Sequence, residues 1–126
     1  MFEFSFADSE VAAIEIDGAA LRLRFAAAHV RLLAEPDRPV GHVGQLVLRL
    51  TPVPAQPLPA GLMGRLHGGQ LWLDGQRHPR LAVPCTLAGV LRLELELPHQ
   101  LTLVLPAQAL SLQFEGEPRF IESLAC

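Results

Sequence analysis

Residues Val90–Phe114 read VLRLELELPHQLTLVLPAQALSLQF, and the spacing within them decides the fold class. Leu91, Leu93, Leu95 and Leu97 alternate with Arg92, Glu94 and Glu96, the period of a strand with one face buried. A loop at Pro98-His99-Gln100 matches Leu95 with Leu103 and Leu93 with Leu105. A second loop at Pro106–Ala109 would match Leu103 with Leu112 and Leu101 with Phe114. Both turns yield the same leucine face, so the stretch reads as a three-stranded antiparallel meander. Its core face is Leu93, Leu95, Leu103, Leu105, Leu110 and Leu112. Glu94, Glu96, Thr102, Ser111 and Gln113 lie on the opposite, wet face.

The same period runs outward in both directions. Phe2, Phe4 and Phe6 form one face of a first short strand. Asp17-Gly18 is a two-residue hairpin signal that matches Ile16 with Ala19, Ile14 with Leu21 and Ala12 with Leu23. After Phe25 the apolar parity changes from odd (Leu21, Leu23, Phe25) to even (Val30, Leu32). A β-bulge around Ala26–Ala28 accounts for this better than a short helix over the same residues. A loop at Glu35–Pro39 leads to a strand at Val43–Leu50, and a final strand begins at Arg119. Gly68-Gly69 and Asp74-Gly75 suggest a double hairpin that matches Arg65 with Trp72 and Trp72 with Arg77. Pro79 and Pro84 mark the segment that follows as an edge or irregular.

These patterns predict an all-β fold of about eight to ten short strands with little or no helix. The two ways to cover the apolar faces are a two-sheet antiparallel sandwich and a partly open barrel. The chain is expected to be one domain, residues 1–126. Pro52, Pro54, Pro57 and Pro59 make 52–61 a connector between two β-rich halves, since no ladder strand tolerates that density of proline.

Composition narrows the function classes. Half of the 126 residues are hydrophobic and the formal net charge is −3, which excludes a disordered chain. It also argues against nucleic-acid binding, which needs a basic face. Lys, Asn and Tyr are absent, whereas Gly, Ala, Arg and Pro supply 47 residues. That bias points to a GC-rich, bacterial genome. Neither an export signal nor an 18-residue apolar span is legible, so the expected setting is the cytoplasm with no membrane contact. Cys85 and Cys126 stand alone, without metal or redox spacing.

No local catalytic signature is present. Glu94 and Glu96, on one side of a strand, invite an acid–base reading, but Arg92 and Thr102 share that face. The histidines at 29, 42, 67, 78 and 99 lack local ligand spacing, so neither metal nor cofactor is expected. The most specific surface feature is the row Arg65, Trp72, Arg77. It could hold an anionic or aromatic ligand, or anchor a protein partner. The leading reading is therefore a non-catalytic binding or protein-interaction module. The alternative is an enzyme or metal protein whose site is assembled from His67, His78 and Cys85. A homodimer is expected, because Phe2–Phe6 and Arg119–Ala125 look like weakly guarded sheet edges with uncovered aromatic area.

Overall fold

The computed structural model describes residues 2–34, 37 and 41–121. They form one antiparallel sheet of nine strands: β1 (Phe2–Asp17), β2 (Ala20–Leu32), β3 (Gly41–Thr51), β4 (Gly64–Arg65), β5 (Gly68–Leu73), β6 (Gln76–His78), β7 (Arg80–Val83), β8 (Cys85–Leu97) and β9 (Leu101–Ile121). The only helical elements among the described residues are two single 3-10 turns, Ala60–Leu62 and Pro98–Gln100. The sheet order is β4-β1-β2-β3-β9-β8-β5-β6, with β7 paired to β1.

All the apolar faces meet in one cluster containing Phe4, Phe6, Leu23, Leu48, Leu71, Leu93, Leu105 and Leu112. The sheet is thus curled around its own core as a barrel that its ladders leave open. The chain bridges the open seam instead. Leu66 exchanges backbone hydrogen bonds with Asp8 and Ser9 of β1, and the next amide, His67, donates to Glu96 of β8. Farther along, Val83 pairs with Phe2 of β1, and Cys85, two residues on, pairs with Leu112 of β9. Gly69 is needed at the seam: a Cβ there would lie 2.9 Å from the Glu94 carbonyl oxygen and 3.0 Å from the Phe6 side chain.

The proline-rich connector runs across the barrel rather than away from it. Val53 donates its amide to Ala19 in the β1–β2 turn. Gln56 donates to the Val104 carbonyl, and Leu58 and Leu62 join the core. Prolines suit a segment whose amides have no ladder to complete.

The leucine face read from the sequence is the core: Leu93, Leu95, Leu105, Leu110 and Leu112 are fully buried and Leu103 nearly so. Leu95–Leu103 and Leu93–Leu105 pair as expected. The second loop does not form. Strand β9 continues through Pro106–Ala109 for 21 residues, and its buried side switches from Leu103, Leu105 and Ala107 to Leu110 and Leu112. A bulge in β8, between Ala88 and Leu91, lies opposite that switch. Pro106 is tolerated because the β3 ladder ends at Thr51–Ala109, leaving β9 with one ladder neighbour beside it.

The first hairpin keeps Ile14, Ile16, Leu21 and Leu23 on one face but shifts its turn, leaving Ala19 exposed in the turn and Ala12 exposed at a bulge between Val11 and Ala13. Asp17 pairs with Ala20 and Ile16 with Leu21. The turn residues are Gly18 and Ala19, and only Gly18 has positive φ, at 60°. Glycine alone at the first position is the II′ pattern, which displaced the expected Asp-Gly turn. The Asp74-Gly75 hairpin forms in the expected register, with φ of 49° and 84° at its two turn residues. The Gly68-Gly69 hairpin is absent: β4 pairs with β1, and β5 with β8. Phe2–Ser5 is no edge either, since β7 covers it, and Phe4 and Phe6 are buried.

A line of bulges crosses the sheet. From Ser5–His29 to Glu10–Ala27, β1 advances five residues and β2 two. From Gly44–Arg119 to Leu46–Phe114, β3 advances two and β9 five. The expected irregularity at Ala26–Ala28 lies on this line, within an unbroken strand, and explains the parity change after Phe25. Ser9, fully buried, repairs the gap in β1. Its hydroxyl donates to the Ser5 carbonyl at 2.7 Å and accepts the His29 amide at 2.8 Å.

Candidate functional site

Strands β6, β5 and β8 share an outer face centred on Trp72. The short Asp74-Gly75 turn places Arg77 of β6 opposite Trp72, and the β5–β8 ladder places Arg92 on its other side. The Arg92 guanidinium carbon lies 5.2 Å from the indole ring centre, a cation–π contact. Around the indole runs a polar chain. Arg77 Nε donates to Gln70 Oε1, Gln70 Nε2 donates to Glu94 Oε2 at 3.0 Å, and Arg92 Nε lies 3.1 Å from Glu94 Oε1. These bonds link Arg77, Gln70, Glu94 and Arg92 in one chain on the face that carries the ring. The Trp72 indole N–H is buried without a hydrogen-bond partner, although buried donors normally have one.

Arg65 is not part of this face. It sits on β4 against Glu10 of β1 and forms an ion pair with Asp8 through both Nε and a terminal nitrogen. The Arg65 guanidinium holds the Asp8 carboxyl below its ordinary range, and Asp8 in turn raises Arg65. Both side chains are exposed, so the pair adds little to stability.

His67, His78 and Cys85 do not assemble. His78 pairs with Leu71, four residues along from His67. Cys85 is eight residues from the Leu93 partner of Leu71, about 25 Å along an extended strand. Burial pushes the Cys85 thiol above its ordinary range, the opposite of what a nucleophile needs. Among the described residues no three His, Cys, Asp or Glu side chains are grouped to hold a metal ion. Glu94 is engaged by Arg92 and Gln70, which suits a solvated strand face better than acid–base work.

A second feature escaped the sequence. Where the ladders break, the outer surface carries two adjoining hollows that share Ile121. One, of about 470 Å³, has walls of Arg24, Gln45 and Arg119. The other, of about 370 Å³, is lined by Asp8, Glu10, Ala27, His42, Arg65 and Ile121. Beside it His29 of β2 faces its cross-strand partner His42 of β3, ring centres 5.2 Å apart. Their spacing in sequence carries no signal. Only the β2–β3 register brings them together. No protein-family model matches the chain, and no curated protein and no solved structure matches it significantly.

Proposed function

We propose that this protein is a non-catalytic binding module whose contact face is the outer side of β6, β5 and β8. The observation that carries the reading is Trp72, half-buried between Arg77 and Arg92, with its indole N–H lacking an acceptor. An aromatic plane flanked by two arginines fits an anionic ligand with a flat apolar part, or an acidic partner side chain. Trp72 is the only tryptophan, so its fluorescence and its single indole N–H resonance report the site directly. Titration with naphthoate and with inorganic phosphate tests the reading. Naphthoate is expected to move the indole resonance and quench the emission, and Arg92→Gln to weaken both effects. An indole signal unmoved by millimolar naphthoate refutes it.

We also propose a cytoplasmic setting, which suits the free thiol of Cys85, a bacterial source on composition, and self-association as a dimer. The support for a dimer is no longer the Phe2–Phe6 segment. It is the far end of β9, where among the described residues Gln113, Phe114 and Arg119–Ile121 pair with β3 alone and Phe120 and Ile121 are 56% and 47% exposed.

A further inference from the structure

We infer that His29 and His42 form a two-histidine site for a borderline divalent transition-metal ion such as Zn²⁺ or Cu²⁺, on the outer surface of β2 and β3. The inference goes beyond the Trp72 face and does not depend on it.

The first argument is metric. The two histidines are direct cross-strand partners, so their side chains leave the same face of the sheet side by side. With metal–nitrogen bonds of about 2.0–2.1 Å, and each ring centre about 1.2 Å beyond its nitrogen, two imidazoles on a tetrahedral ion have centres about 5 Å apart. The observed separation is 5.2 Å, with the planes tilted by 35°.

The second argument is the surrounding shell. His42 Nε2 donates to the Asp8 backbone carbonyl at 3.2 Å. That bond places the proton on Nε2 and leaves Nδ1 as the lone-pair nitrogen of the neutral ring. A ligating imidazole is ordinarily held in this way, with its other nitrogen bonded to a carbonyl or carboxylate. The carbonyl is presented from an unusual place. Asp8 has φ of 66° at the β1 bulge, and its side chain is anchored by Arg65. His29 is fixed from its main chain, whose amide donates to Ser9.

The third argument concerns charge and space. The 370 Å³ hollow beside His42 leaves room for the water ligands that a two-histidine site requires, and Asp8 and Glu10 line it. Arg65 is committed to Asp8. Arg80, which faces His29, opposes a cation. With two protein ligands the site is weaker than the three- and four-ligand centres of resident zinc ions. Imidazole donors favour Cu²⁺ over Zn²⁺, and both over Mn²⁺, with no affinity for Mg²⁺.

The experiment is a titration of the chelator-treated full chain with zinc chloride, followed by calorimetry. One ion per chain is expected, with binding weakened about tenfold or more in His29→Gln and in His42→Gln and unchanged in His67→Gln. Circular dichroism confirms that each variant is folded. A second measurement needs no variant: trace Cu²⁺ should broaden the ring resonances of His29 and His42 before those of His67, His78 and His99. The inference is overturned by absent binding at millimolar Zn²⁺, by affinity that survives either substitution, or by copper broadening that begins at another histidine.

Discussion

Replacing Leu105 by alanine tests the central claim about β9, that it is one long strand whose buried side changes midway. Leu105 is fully buried and pairs with Leu93, also fully buried, in the middle of the β8–β9 ladder. Truncation removes the transfer free energy of its methyl groups and leaves a cavity in the core beside Leu93, its ladder partner in β8. Such leucine-to-alanine changes cost about 2–5 kcal/mol. That is a large share of the stability of a domain this size, which is about 5–15 kcal/mol in total. Urea unfolding followed by Trp72 fluorescence is the assay. With a denaturant slope of about 2 kcal/mol per molar, the midpoint should fall by about 1–2.5 M. Val104, the next residue, points outward and is 39% exposed, so Val104→Ala should stay within about 0.5 kcal/mol of wild type. Beyond the switch the parity inverts: Leu110→Ala should resemble Leu105→Ala, and Ser111→Ala should resemble Val104→Ala. Equal effects at 104 and 105, or a Leu105→Ala midpoint within about 0.3 M of wild type, would show that this face is not the core.

Two further outcomes follow from the edges and the histidines. Light scattering at tens of micromolar should give a mass of about 27 kDa, twice the chain's 13.7 kDa, and Phe120→Asp should return it to the monomer value; a monomeric wild type rules out the β9 contact. The folded protein resists protonation of His29, through burial first and His42 second, while the unfolded chain takes up the proton at the ordinary imidazole value. The unfolded state therefore binds more protons below about pH 6.5, and stability should decline as pH falls through that range. His29→Gln should flatten the decline in urea midpoint between about pH 8 and pH 5, and an unchanged slope refutes the assignment.

How much of this fold can be read from the residues depends on how its parity breaks are interpreted. Strict alternation is reliable, because a one-residue slip would turn Leu93 and Leu95 into the solvent and Glu94 into the core. A change of parity is ambiguous, since a turn and a bulge both produce one. At Phe25–Ala28 the rival to a bulge was a short helix, and β2 indeed continues through as a strand. At Pro106–Ala109 a proline and two alanines suggested a turn, yet β9 also continues. The difference is set by a non-local fact: the β3 ladder stops at Ala109, which frees the strand to carry a proline. Gly68-Gly69 misled for a related reason. Two glycines satisfy a hairpin turn, but here they serve close approach, with Gly68 beside Glu96 and Gly69 beside Phe6 across the seam.

The sites depend still more on pairings between distant segments. Trp72 and Arg77 could be matched because a two-residue turn fixes their register. Arg92 was visible only as a polar residue on a strand face, and the β5–β8 ladder that brings it over the indole joins segments about 20 residues apart. The histidine pair is more hidden, since its spacing in sequence carries no signal, and its third participant, the Asp8 carbonyl, is a backbone atom displaced by a bulge. Both candidate sites therefore belong to the sheet's cross-strand register. A change that shifts one strand by a single residue would abolish them together with the core, whereas side-chain substitutions on the outer face would remove either site and leave the barrel intact. That separation lets the binding readings be tested independently of folding, because Trp72, Arg92, His29 and His42 all leave the sheet on the side opposite Leu71, Leu93, Val30 and Val43, which supply the core.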